Sequence, residues 1–204
     1  MSKIVLATGN AGKLTELQQM LGNTGKEFIT QKSLGICDAA ETGLTFVENA
    51  IIKARHACAA SGLPAIADDS GLEVDALHGE PGIYSARFAG LNASDSENNL
   101  KLLVRLQDVP DEQRGARFQC VIVFMRSPFD ATPLICNGTW EGRILHAPAG
   151  VHGFGYDPLF YVPEHDCASA ELEPLIKNSI SHRAQALQRL LKHWNAFTAG
   201  MNSQ

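Results

Sequence analysis

Ala65-Ile66-Ala67-Asp68-Asp69-Ser70-Gly71-Leu72-Glu73 drives an apolar run, β-branched at Ile66, into two adjacent carboxylates and then meets a Ser-Gly pair. The pattern predicts a buried strand that ends at a turn. Two neighbouring negative charges at a strand end repel one another and resist leaving water, so they persist there when a cation, a metal or hydrogen-bonded backbone compensates them. Asp68 and Asp69 are therefore a candidate active centre. Taken alone, they fit equally a solvated turn in which either side chain bonds nearby backbone amides.

Upstream, Thr45-Phe46-Val47-Glu48 fits a capping box, and the alanine-rich run through Ser61 predicts a long helix closed by Gly62 and Pro64. On it Asn49 and Lys53 share one face, while Phe46, Ala50, Ala54 and Ala57 share another. The first face either serves a site or is ordinary solvated surface. Further upstream, Lys3 to Ala7 predicts a first strand, and Thr8-Gly9-Asn10-Ala11-Gly12-Lys13 turns it into a helix bearing Leu14, Leu17 and Leu21. Backbone amides at such a helix start, with the charge of Lys13, favour phosphate. An ordinary βα turn has the same look. It is not a Walker A loop, because the glycines are too closely spaced and Leu14 stands where a magnesium-binding hydroxyl belongs. Glu27 to Gln31 suggests a second strand.

Downstream, Leu72 to Leu77 reads as another short strand or turn, and Gly79 to Gly90 as an ordered surface loop open to a partner. Ser94-Asp95-Ser96-Glu97 is a second capping box, opening a helix with a stripe of Leu100, Leu103, Val104 and Leu106 that Pro110 stops. Arg117 to Met125 is almost unbroken in its apolar run, typical of a central strand covered on both faces. Ser127 to Pro133 turns it into a hairpin partner running from Leu134 through Ile144, so the sheet is expected to be mixed. Ser181 can cap a last helix with Ala184, Leu187, Leu190, Leu191 and Trp194 on its buried side. His182 and Arg183 then fall in its first turn, where positive charge opposes the helix dipole, and that cost invites a functional explanation.

With 204 residues, 45% hydrophobic and 19% charged, the chain is long enough for one large α/β domain over 1–204 or for two closely joined lobes, and one compact unit is expected. A formal charge of -5 argues against a protein that coats a nucleic acid polymer; small anions remain within reach of local Lys and Arg. No apolar run approaches membrane-spanning length, and the opening run Met1 to Ala7 is too short for a signal sequence, so no membrane partner and a cytoplasmic location are expected. The five cysteines are odd in number and lack any C-x-x-C pair, which predicts reduced filler rather than a disulfide framework or zinc site.

In order along the chain, Thr8 to Lys13, Thr42-Gly43-x-Thr45-Phe46-x-Glu48-Asn49-Ala50, Ala67-Asp68-Asp69-Ser70-Gly71-Leu72, Pro81-Gly82-x-Tyr84-Ser85-Ala86-Arg87, Gly153-Phe154-Gly155-Tyr156-Asp157-Pro158 and Ser181-His182-Arg183 recur as one ordered set. This set resembles the inosine triphosphate pyrophosphatase family, which hydrolyses non-standard purine nucleoside triphosphates such as ITP, dITP and XTP to the monophosphate and pyrophosphate. The resemblance spans nearly the whole chain. It implies an elongated mixed α/β sheet flanked by helices and folded into two lobes with a central nucleotide cleft. It also implies a homodimer, with the Pro81 to Phe88 loop as the expected interface.

By the same resemblance, Thr8, Gly9, Asn10, Ala11, Gly12 and Lys13 would hold the substrate's phosphates, helped by Lys53 and Lys177. Glu41 and Asp68 would bind Mg²⁺, with Asp69 as general base on the attacking water and a further member of the metal set. Which adjacent carboxylate binds metal and which activates water is left open, since such pairs share their titration. Ser70 would hydrogen-bond the substrate. Phe154 would stack on the purine, with Gly155 and Tyr156 beside it, and Asp157 would accept from the ring NH. His182 would support the 6-oxo group or the loop, and Arg183, having only donors, would favour that 6-oxo acceptor over an adenine amino group. A Maf-like pyrophosphatase of other base preference is the nearest alternative, disfavoured by the Phe154–Asp157 and His182-Arg183 segments. A non-hydrolysing nucleotide sensor is another, disfavoured by the Asp68-Asp69 pair.

Overall fold

Parallel strands need a crossover between them, and the first hundred residues supply two. In the computed structural model, which describes residues 3–22 and 24–198, Lys3–Leu6 (β1) and Glu27–Thr30 (β2) run parallel with Lys3 opposite Glu27. Helix Ala11–Leu21 (α1) joins them and buries Leu17 and Leu21. The first two residues of the opening run and the last six of the chain lie outside the described residues. Helix Phe46–Ser61 (α2) then leads into Ala65–Val74 (β3), parallel to β1 with Leu6 opposite Ile66. Strands Gly115–Met125 (β4), Leu134–Ile144 (β5), Phe160–Val162 (β6) and Cys167–Ala168 (β7) complete a mixed seven-stranded sheet in the order β2-β1-β3-β4-β5-β6-β7. β6 is antiparallel to both β5 and β7. The apolar run of β4 lies at the centre of that order, as its composition predicts. Helices Asp95–Arg105 (α3), Pro174–Ile180 (α4) and His182–Thr198 (α5) finish the α/β fold.

The chain divides into two compact units. Unit 1 takes the residues up to Asp69, Cys120–Gly138 and those from Arg183 on; unit 2 takes Ser70–Gln119 and Thr139–His182. Alternate residues of a strand point to opposite faces, and in unit 1 this feeds two cores. Ile4, Leu6 and Ile66 pack with Leu17 and Leu21 of α1 and Leu187, Leu190 and Trp194 of α5. Val5, Ala7, Ala65 and Ala67 pack instead with Ala50, Ala54, Ala57 and Cys58 of α2. The core of unit 2 is aromatic, with Phe118, Trp140, Tyr156 and Phe160 around Leu72, Val74, Leu102 of α3 and Leu106 at its end.

The helix caps follow the sequence. Thr45 caps α2, Gly62 ends it with φ +69, and Ser94 with Glu97 forms a complete capping box on α3. Two expectations are corrected. β3 does not turn at Ser70-Gly71; Leu72 and Val74 are completely buried and carry the alternation onward, so core burial outweighs the Ser-Gly signal. On α3 the buried face is Asn98 and Leu102, continued by Leu106 just past its end, while Leu100 and Val104 are 63% and 58% exposed. All five cysteines are free, and burial pushes the Cys120 thiol up to about 12. Among the described residues no helix is long and apolar enough to cross a membrane.

Candidate active site

β1 stops opposite Ile66, and the Ala7 N–H makes the last bond, 2.8 Å to the Ile66 carbonyl. Asp68 and Asp69 follow one residue later along β3, after Ala67, at the carboxyl end of parallel strands, where open α/β sheets take their ligands. Strand alternation then separates the two. Asp68 continues the Ile66 face toward α1 and α5, and Asp69 continues the Ala67 face toward α2. Asp68, 1% exposed, has Lys13 Nζ at 3.3 Å and Arg183 Nη2 and Nε at 3.2 and 3.3 Å from its Oδ2. Glu16, one turn after Lys13 on α1, pairs with the other arm of the Arg183 guanidinium. Asp69 Oδ1 lies 2.8 Å from Lys53 Nζ, and the same ammonium is 3.1 Å from Glu41 Oε1.

The two aspartates consequently differ in proton affinity. Burial alone would push the Asp68 carboxyl up, but Lys13, Arg183 and Lys53 together outweigh it and hold Asp68 well below the usual carboxylate range. At Asp69 burial prevails over Lys53 and Lys13, and Glu41 adds repulsion, so its affinity for a proton is raised. Lys53 is itself desolvated, yet Asp69, Asp68 and Glu41 keep it firmly charged. The positive charge that the first turn of α5 disfavours at Arg183 is thus answered by two buried acids.

The loop after β1 is ordered by its own side chains. The Asn10 N–H donates to Thr8 Oγ1 at 3.3 Å, and Asn10 Oδ1 caps α1 by accepting from the Lys13 N–H at 2.9 Å. Ala11 and Gly12 begin the helix. Asp38, hydrogen-bonded by the buried Gln31 side chain, presses against Gly9 where a Cβ would collide with its carboxylate. Ser70 follows Asp69 in β3 and is half-buried.

A second cluster of expected residues lies within unit 2. Asp157, 2% exposed, accepts from the Phe154 N–H at 2.8 Å, from Ser169 Oγ at 2.9 Å and from Lys177 Nζ at 2.6 Å. Lys177 Nζ also stands 5.0 Å from the centre of the Phe154 ring, within cation–π range. Gly153, at φ +76, has no room for a Cβ beside the Asp157 carboxylate. α3 anchors the same loop: Asp95 accepts from the Gly155 N–H at 2.7 Å, and Asn99 donates to its carbonyl at 2.9 Å. Tyr156 is buried in the unit 2 core, its hydroxyl donating to the Ser85 carbonyl at 2.8 Å. His182 stacks on Phe118 at 4.7 Å and 15°, with Trp140 beyond.

Lys13, Glu41, Lys53, Asp68, Asp69 and Arg183 therefore form one charged group in unit 1, and Phe154, Asp157 and Lys177 another in unit 2. Arg183 is engaged by Asp68 and Glu16, and both oxygens of Asp157 accept from unit 2 itself, uses that the resemblance did not imply. Sequence reasoning missed Glu16, Ser169, Gln31 and Asp38. Only Glu16 carried a signal, its i,i+3 spacing from Lys13 on the helix that the glycine loop opens.

Among the described residues, no three His, Cys, Asp or Glu side chains form a group able to hold a metal by themselves. A magnesium site does not require that, since the ion commonly takes one or two carboxylates with substrate phosphates and water. Glu41 and Asp69 already converge on one positive charge, the Lys53 ammonium, and both offer hard oxygen donors. The donor set fits.

The profile of the Ham1 family matches residues 4–193. The dITP/XTP pyrophosphatase of Vibrio cholerae is 62% identical over 192 residues, covering 94% of this chain and 96% of that protein. Among solved structures, a HAM1 protein from Coxiella burnetii matches with a TM-score of 0.87 at 53% identity, over 93% of this chain and 96% of the other. The Staphylococcus aureus Ham1 protein matches with a TM-score of 0.82 at 42% identity, over 98% of this chain and all of that one (100%).

Proposed function

Because the chain belongs to the Ham1 family, we propose that it hydrolyses non-canonical purine nucleoside triphosphates, ITP, dITP and XTP, to the nucleoside monophosphate and pyrophosphate. The observation that carries this reading is the splitting of Asp68 and Asp69 onto opposite faces of β3, each with its own cations. One carboxylate is kept ionised and the other has raised proton affinity, which is the division of labour a hydrolytic site needs.

In this reading Lys13, Lys53 and the α1 start, with Thr8 through Gly12, bind the triphosphate. Asp69 orients the water and takes its proton as the water oxygen bonds to the α-phosphorus. The bond from that phosphorus to the bridging oxygen breaks, and pyrophosphate leaves with the electron pair. Glu41 and Asp69 would hold Mg²⁺, with Asp68 as the third carboxylate of the set. When bound, the ion supplies charge neutralisation of the phosphates and acidifies coordinated water. In unit 2, Phe154 offers the stacking face for the base, Asp157 and Lys177 fix that ring's loop, and Tyr156 anchors it. Ser70 and His182 are assigned to substrate contacts, and Arg183 to the 6-oxo group after release from its acidic partners. The homodimer, its Pro81 to Phe88 interface and a cytoplasmic location complete the proposal.

The products test it. Incubation with ITP is expected to yield IMP and pyrophosphate in one step, resolved by ion-exchange chromatography. Accumulation of IDP with orthophosphate would place the cut at the γ-position and refute the assignment.

A further inference from the structure

Glu41 lies in neither helix nor strand, so its carboxylate needs another means of staying in place. The segment that follows it folds back onto the start of α2. Asn49 Oδ1 accepts from the Gly43 N–H at 2.9 Å, while Glu48 Oε2 accepts from the Leu44 N–H at 2.8 Å and the Thr45 hydroxyl at 2.9 Å. A side chain at position 43 has no room: its Cβ would stand 2.6 Å from Glu48 Cβ and 2.8 Å from Asn49 Oδ1. One turn further along α2, Lys53 takes the Glu41 carboxylate itself. One face of one helix therefore grips the backbone after Glu41 through Asn49 and its charge through Lys53.

Asn49 is completely buried, and its Nδ2 has no hydrogen-bond partner among the described residues. A buried donor left unpaired is destabilising, so packing alone would favour an apolar residue there. The amide is kept for what its oxygen does. We propose that Asn49 is a positioning residue that sets the metal-binding carboxylate of Glu41 by clamping the Gly43 backbone. This rests on the reading of Glu41 as a metal ligand.

The test uses the full chain and Mn²⁺ as the probe, with binding followed by electron paramagnetic resonance in the absence of nucleotide. Asn49→Ala is expected to weaken Mn²⁺ binding by roughly 10-fold or more, the usual effect of removing a residue that orients a metal ligand. Gly43→Ala, which breaks the same contact from the backbone side, should do likewise. With ITP, the Mg²⁺ concentration for half-maximal activity should rise by a similar factor while kcat at saturating metal recovers. In a Glu41→Gln background, Asn49→Ala should add less than about 2-fold, because the two act as one unit.

Unchanged Mn²⁺ affinity in a folded variant, a full additional loss in the Glu41→Gln background, or a wild-type protein that binds no Mn²⁺ would each overturn the inference. Should both variants fail to fold, exchange of the wild-type Gly43 amide decides: strong protection supports the clamp, and exchange at the rate of an open loop overturns it. Absence of pyrophosphate release by the wild type would refute the proposed reaction while leaving the Mn²⁺ comparison intact.

Discussion

Asp69→Asn is expected to lower turnover of ITP by roughly 100-fold or more with binding largely kept. The substitution retains size and one carbonyl oxygen near Lys53, but an amide cannot take a proton from water. Lys53 keeps Glu41 as an anionic partner at 3.1 Å, so the charged group is disturbed less than by losing a cation. Measuring kcat beside the dissociation constant of ITP separates the two effects. Turnover within a few fold of the parent would move the base to another residue, whereas equal losses in binding and turnover would make Asp69 a ligand only.

The other large effect belongs to Arg183. Its guanidinium is 1% exposed and lies between Asp68 and Glu16, so Arg183→Ala leaves two acids buried with less positive charge to answer them. Breaking such a buried pair from one side typically costs about 3–5 kcal/mol of folding stability, and denaturant unfolding reads it directly. The pH dependence has a definite sign. In the parent, burial pushes the Asp68 carboxyl up and Lys13, Arg183 and Lys53 bring it well down, so its stabilising contribution is full above the unfolded carboxyl value and is lost as the pH falls through the depressed folded one. Without Arg183 the carboxyl shifts upward, so the variant loses less of this contribution than the parent as the pH falls below the unfolded carboxyl value, and its stability deficit should narrow from about pH 4 toward about pH 2. A deficit that stays constant over that interval would show that packing, not charge, is what Arg183 supplies.

The same variant examines base choice. If Arg183 also donates to a 6-oxo group, kcat/KM for ITP should fall by about 2 to 3 kcal/mol while activity on ATP falls much less or even rises. Equal losses on both triphosphates would instead trace the defect to a displaced Asp68.

The stretch from Ala65 to Glu73 held much of the site in plain view, because an apolar run entering two carboxylates has few physical solutions. Its reading as a turn failed since Ser70-Gly71 is a local signal, whereas burial of Leu72 and Val74 depends on partners distant in sequence. The capped helices were legible for the converse reason: Thr45 and Ser94 bond to amides three residues away. β6, β7 and α4 span three, two and seven residues, too few for any periodicity to register. For the candidate site, the resemblance named residues without their pairings. That Asp68 looks to α1 and α5 while Asp69 looks to α2 follows from strand alternation, but only once the helices covering each face are known. The commitment of Arg183 to Glu16 links residues 167 positions apart, and no local pattern announces it.

Unit 1 is written in three passages of the chain and unit 2 in two, and the four joints have a property that bears on how such a protein can be altered. Three fall inside strands β3, β4 and β5, and the fourth falls between the first two residues of α5. Anyone grafting unit 2 from a relative would have to splice two segments at four sites, none of them a loop. An extra residue at a strand splice would reverse the facing of every side chain beyond it. Transplantation and lengthening are therefore poor routes to a new base preference in this scaffold, and exchange of single side chains within fixed spacing is the open one.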